Sequence, residues 1–226
     1  KSADCAILVE GNADVVKMHQ LDIRNVVACC GTALTDDQIG LIGRASKNIC
    51  LMLDGDNAGM TATIKNGKRL VEAGYNAFVL PIPKDKDGNK QDPDSFFTSK
   101  EHFEKFQKQE KRFFLSMLAA ERQKTIDDPS AKTREIREIS ALIQGKPDSE
   151  KELLIEELSK IIPGRTLWKK TLREVEADTR EKNATKTFTS SNMSEEQDDM
   201  IRKYGFYIEK TCYYFYAVKS DNFFKG

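Results

Sequence analysis

Three stretches of this chain set acids in positions where they could share a ligand. Ile49-Cys50-Leu51-Met52-Leu53 stops at Asp54-Gly55-Asp56-Asn57-Ala58-Gly59, and the apolar run from Cys5 to Val9 stops at Glu10-Gly11-Asn12-Ala13-Asp14. The third is Asp92-Pro93-Asp94, in which proline stiffens the backbone between two acids at the end of a polar loop. Carboxylates aimed at one point are hard oxygen donors, the ligands that Mg²⁺ takes. The Asp-Gly-Asp spacing is equally that of a turn in which Asp56 caps the next helix. On spacing alone the turn-and-cap reading stands ahead.

The elements around these acids decide whether they can meet. A short apolar run without polar alternation suits a parallel strand buried on both faces. Four such runs, Cys5 to Val9, Asn25 to Cys30, Ile49 to Leu53 and Ala77 to Ile82, alternate with helical patterns from Val15 to Leu21, Asp36 to Ser46 and Asn57 to Gly74. Thr35-Asp36-Asp37-Gln38 has the form of a capping box at the start of the second helix. This alternation predicts an α/β fold with a parallel sheet, right-handed crossovers and flanking helices. Ligands of such sheets collect outside the carboxyl ends of the strands, where Glu10 and Asp54 fall. Gly55 is expected to supply the backbone freedom that lets the strand end sharply.

Composition narrows the function classes. Of 226 residues, 36 are basic and 36 acidic, so no generally basic surface announces nucleic acid, although a neutral total can conceal a basic groove. Cys5, Cys29, Cys30, Cys50 and Cys212 show no Cys-x-x-Cys spacing and only His19 and His102 could assist them, which argues against zinc. Four of these cysteines lie in or beside strand-like runs, as small buried hydrophobes in a reducing cytoplasm would. No signal peptide or membrane-length run stands in the sequence, so a cytoplasmic location is expected. The chain starts at Lys1 without methionine, and we expect a piece of a longer protein.

Taken in order and spacing, Glu10-Gly11-x-x-Asp14, Gly31-Thr32-Ala33-Leu34-Thr35, Asp54-Gly55-Asp56-x-Ala58-Gly59 and Asp92-Pro93-Asp94-Ser95 resemble the Toprim domain of bacterial DnaG-type DNA primases. Toprim domains also occur in topoisomerases, gyrases, RecR-like repair proteins and OLD-family nucleases, which share little beyond a glutamate and an Asp-x-Asp. The resemblance reverses the order of the two readings of Asp54 and Asp56. It implies synthesis of RNA primers on single-stranded DNA from ribonucleoside triphosphates, in the company of a replicative helicase and without a membrane. It also implies a divalent cofactor, Mg²⁺ or Mn²⁺, held by Asp14, Asp54, Asp56, Asp92 and Asp94, with Glu10 as general acid/base. Bottom-up chemistry agrees, because nucleotidyl transfer builds negative charge that carboxylate-held metal offsets. Two other functions use the same acids: Toprim-type phosphodiester cleavage, and a non-catalytic metal-binding replication module. A topoisomerase needs a nucleophilic tyrosine, and all tyrosines here except Tyr75 lie near the C-terminus.

The remaining sequence sets the domain map. Residues 1–97 are expected to form the Toprim domain, 98–182 a helical subdomain, 183–200 a linker rich in Ser, Thr, Asn and acids, and 201–226 the start of a β-containing domain with strands at Tyr204 to Tyr207 and Cys212 to Val218. Within the subdomain one helix is expected from Glu101 to Gln123, then others from Pro129 to Ile143, Asp148 to Ile162 and Arg165 to Glu181. The polar loop from Lys84 to Gln91 reads as a solvated turn with Asp87-Gly88 at its tip and lacks the glutamate of a calcium loop. Lys65, Lys68 and Arg69 could face phosphates, with exposed helix surface as the plainer reading.

Overall fold

The structure, a computed structural model, describes residues 5–31 and 33–183. The linker and the two aromatic strands expected after residue 183 lie outside the described residues. Strands β1 (Ala6–Val9), β2 (Val26–Ala28), β3 (Asn48–Leu51) and β4 (Asn76–Val79) are parallel in the order β2-β1-β3-β4, with α1 (Asn12–Gln20), α2 (Asp36–Ala45) and α3 (Asn57–Glu72) between them. The capping box at α2 is formed: Thr35 Oγ1 accepts the Gln38 amide at 3.2 Å, and Gln38 Oε1 accepts the Thr35 amide at 2.9 Å.

Strand periodicity splits the core in two. Leu8, Ile49, Leu51, Ala77 and Val79 face one side, packed with Leu70, Phe114, Leu118, Ile136, Leu158 and Trp168. Ile7, Val9, Cys50, Met52 and Leu80 face the other, packed with Met18, Ile23, Phe97 and Phe103. Burial on both faces is why these strands carry no polar alternation.

After β4 come α4 (Pro93–Phe96), α5 (Lys100–Glu110), β5 (Arg112–Phe113), α6 (Phe114–Gln123), α7 (Pro129–Ile143) and α8 (Asp148–Ile161), with helix again from residue 165. The helix expected over Glu101 to Gln123 is therefore two helices. Residues 112 and 113 leave helical geometry to pair antiparallel with β4, Val79 opposite Arg112 and Phe78 opposite Phe113. The free edge of β4 offered unpaired backbone groups. Phe113 packs edge-on against Phe78 at 5.7 Å, and the Lys111 ammonium lies 4.3 Å from the Phe78 ring centre. The sheet is thus parallel with one short antiparallel edge strand.

Lys1–Val175 form one compact unit, so α5 to α8 share a core with the sheet. In the second unit, Glu176–Gly226, the described residues 176–183 are helical. Among the described residues no helix is long and apolar enough to cross a membrane.

Candidate metal centre

Glu10 follows β1 directly, and Asp54 follows β3 after the buried pair Met52-Leu53, so neighbouring parallel strands deliver both acids to one edge. The Asp54 side chain is only 8% exposed, and its Oδ1 is buried without a hydrogen-bond donor. The Glu10 carboxyl is close enough to the Asp54 carboxyl to interact with it. Two ionised carboxylates so placed repel, and only a proton or a cation relieves them. Burial first, and then the Asp54 carboxyl, hold the Glu10 carboxyl above its usual range.

The glycines here supply space. Gly55 has no positive φ, contrary to the freedom expected of it. A Cβ there would stand 2.5 Å from the Ile82 carbonyl oxygen, where the chain leaving β4 crosses the Asp-Gly-Asp turn. At Gly59 a Cβ would overlap the Asp54 carbonyl oxygen, so this glycine lets α3 start against the strand end that carries Asp54.

The other acids have structural work. Asp56 caps α3, its Oδ1 accepting the Gly59 amide at 2.6 Å, and that amide foremost lowers its pKa. Asp92 caps α4, its Oδ1 accepting the Ser95 hydroxyl at 2.6 Å and the Ser95 amide at 2.8 Å; the hydroxyl foremost lowers its pKa. Asp14 is buried in the first turn of α1, where Oδ2 accepts the Gly11 amide at 3.0 Å and Oδ1 the Asp94 amide at 3.2 Å. Burial raises its pKa despite both amides. Asp94 is half-buried, its backbone tied to Asp14. Asp56 therefore satisfies the turn-and-cap reading while leaving Oδ2 for a cation.

Sequence reasoning missed Lys90. Its Nζ lies 2.5 Å from Asp54 Oδ2 and 3.7 Å from Asp56 Oδ2, and the Asp54 carboxylate foremost raises its pKa. The only sequence signal was a lysine two residues before Asp92 in a loop full of acids. Among the described residues no three His, Cys, Asp or Glu are gathered as a metal would require. The donor set nevertheless fits a hard divalent ion, because it is all carboxylate and the buried Asp54 Oδ1 lacks a donor.

The three cations weighed for phosphate contact divide. Lys68 pairs with Glu138 at 3.5 Å, and Arg69 with Asp36 at 2.6 Å and with the Leu34 carbonyl. Both tie α3 to its neighbours. Lys65 is exposed.

Residues 7–92 match the Toprim-like family. A DNA primase of Staphylococcus aureus (strain COL) is 38% identical over 116 residues, which is 50% of this chain and 18% of that protein. The chain thus spans less than a fifth of the length of the curated relatives it matches. The E. coli primase catalytic core superposes with a TM-score of 0.61 at 28% identity, covering 72% of this chain and 52% of that one. A DnaG primase catalytic domain bound to single-stranded DNA superposes with a TM-score of 0.53 at 26% identity, covering 77% and 51%.

Proposed function

We infer that this chain, which belongs by sequence and fold to the bacterial DnaG-type primases and carries a Toprim-like domain over residues 7–92, supplies the metal-holding part of a primer-synthesis site. The reaction is template-directed addition of ribonucleotides to a primer 3′-hydroxyl on single-stranded DNA. One observation carries the reading: Glu10 and Asp54 leave adjacent parallel strands with their carboxyls in reach of each other, and Asp54 Oδ1 is buried without a donor.

Asp54 and Asp56 are the residues that would hold Mg²⁺ or Mn²⁺, with Asp92 and Asp94 beside them on the α4 side. When bound, the ion offsets charge on the transferred phosphoryl and on pyrophosphate. Glu10 acts on protons. Its carboxyl, held above the usual range by burial and by Asp54, can take the proton of the attacking 3′-hydroxyl. Asp14 holds the Asp94 backbone and so fixes the Asp-Pro-Asp segment relative to Glu10.

The test is ribonucleotide incorporation on a single-stranded template by the full-length parent protein. Asp54→Asn is expected to abolish both incorporation and Mn²⁺ binding, and Glu10→Gln to lower incorporation by about 10² to 10⁴ with Mn²⁺ affinity little changed. The isolated chain is expected to bind the ion and make few primers, since its net charge is zero. Metal-dependent cleavage of DNA by the parent, without incorporation, would make the protein a nuclease instead.

A further inference from the structure

The loop before Asp92 is built to hold Lys90 in place. Asp85 closes it from one side: Oδ1 accepts the Asp87 amide at 2.9 Å and the Asn89 amide at 2.7 Å, and Oδ2 accepts the Asn89 side-chain amide at 3.0 Å. Gly88, at φ 81°, turns the tip. On the other side the Gly55 amide donates to the Gln91 carbonyl at 3.0 Å, fastening the loop to the Asp-Gly-Asp turn. The residues immediately before and after Lys90 are thus both fixed by hydrogen bonds, and the ammonium between them meets Asp54 and Asp56. An exposed lysine–aspartate pair holds itself only weakly. Here the backbone does the holding, and Asp54 is buried.

We propose that Lys90 is the resident counter-ion of this site, its ammonium standing where Asp54 and Asp56 would take a divalent ion, so that metal enters only by displacing it. The proposal rests on the metal-site reading above. Glu10, Asp54 and Asp56 bring three negative charges to one strand edge; the ammonium leaves a net two, and a divalent ion a net one. The flexible four-carbon stem and the half-exposed head let Lys90 leave without unfolding the loop, since Asp85 and Gly55 grip only backbone and the Asn89 side chain. The consequence is a site that binds free metal weakly.

Mn²⁺ titration of the whole chain, followed by calorimetry and by electron paramagnetic resonance of free Mn²⁺, tests this with Lys90→Met and Lys90→Arg. Lys90→Met keeps the stem and removes the charge, and it is expected to bind Mn²⁺ about three- to tenfold more tightly; Lys90→Arg should stay near wild type. A second measurement needs no variant: Mn²⁺ should increase the reactivity of the Lys90 amine toward an acylating reagent, read by peptide mass spectrometry. Equal or weaker Mn²⁺ affinity in Lys90→Met, or labelling of Lys90 indifferent to Mn²⁺, overturns the counter-ion role while the metal site stands. Absence of Mn²⁺ binding in wild type and variant alike overturns the metal site itself, and the proposal with it.

Discussion

The Asp94 backbone amide donates to Asp14 Oδ1 at 3.2 Å, joining the start of α1 to the Asp-Pro-Asp segment eighty residues further on. The other Asp14 oxygen is taken by the Gly11 amide. A buried carboxylate with both oxygens on backbone amides acts first as a brace, whatever it adds to metal binding. Asp14→Ala leaves those amides without their acceptor, and an unsatisfied buried donor costs about 1–3 kcal/mol. We expect a loss of that order in chemical denaturation together with faster hydrogen exchange at the Asp94 amide. Unchanged exchange at Asp94 would remove the brace.

Asp56 carries two roles that two variants separate. Asparagine caps a helix as well as aspartate, whereas alanine forfeits about 0.5–2 kcal/mol. Asp56→Asn should therefore keep the stability that Asp56→Ala loses, while both lose Mn²⁺ affinity because neither leaves a charged Oδ2. Equal destabilisation by both would show that the Gly59 contact is not a working cap.

That overlap explains what could be read from the sequence. Caps and strand runs are local, so Thr35 with Gln38, Asp56, and the Pro129 start of α7 stood in the order of residues, and so did the four parallel strands. The helix expected over Glu101 to Gln123 failed because its pattern gives no account of the β4 edge, which lies more than thirty residues earlier in the chain and draws Arg112 and Phe113 into pairing. Lys90 was illegible for a similar reason. Its position depends on Asp85 knotting the loop and on Gly55 receiving it, and neither contact leaves a periodic trace. The backbone freedom expected of Gly55 is not what it supplies: its φ is not positive, and its part is space beside the Ile82 carbonyl.

The junction between α3 and α6 is tested at Gly67, where a Cβ would overlap the fully buried Phe114 ring. Because Phe114 sits in the core that unites the sheet with the helices after it, the ring has no room to swing away. Gly67→Ala should cost about 1–3 kcal/mol by overpacking. Gly40→Ala, in an open position on α2, should instead gain up to about 1 kcal/mol from helix propensity. Thermal denaturation of the two variants side by side checks both signs, and stabilisation by Gly67→Ala would mean that α3 and α6 are not in this contact.

The pH dependence of stability follows from Glu10. Its folded pKa is raised above the ordinary value of 4.5, chiefly by burial and then by the Asp54 carboxyl, so folding favours the protonated form. The stability it contributes is complete below that ordinary value and is lost as pH rises through the folded one. Asp56 and Asp92 have lowered values and act oppositely: their contribution is present above their ordinary 3.8 and is lost as pH falls through their folded values. Asp14, also raised by burial, shares the alkaline side with Glu10, so it is the comparison with Glu10→Gln that isolates Glu10. In chelator, wild type should lose stability relative to Glu10→Gln as pH rises from about 4.5 toward neutrality, and the two curves should converge below that range. Saturating Mn²⁺ should leave that difference nearly unchanged, because a variant with unaltered Mn²⁺ affinity gains the same stability from the ion as wild type does. Denaturation midpoints measured across pH 3.5 to 8 in chelator and in Mn²⁺ would decide it; parallel curves for wild type and Glu10→Gln would mean that the Glu10 carboxyl does not feel Asp54, and the general-base assignment would lose its electrostatic support.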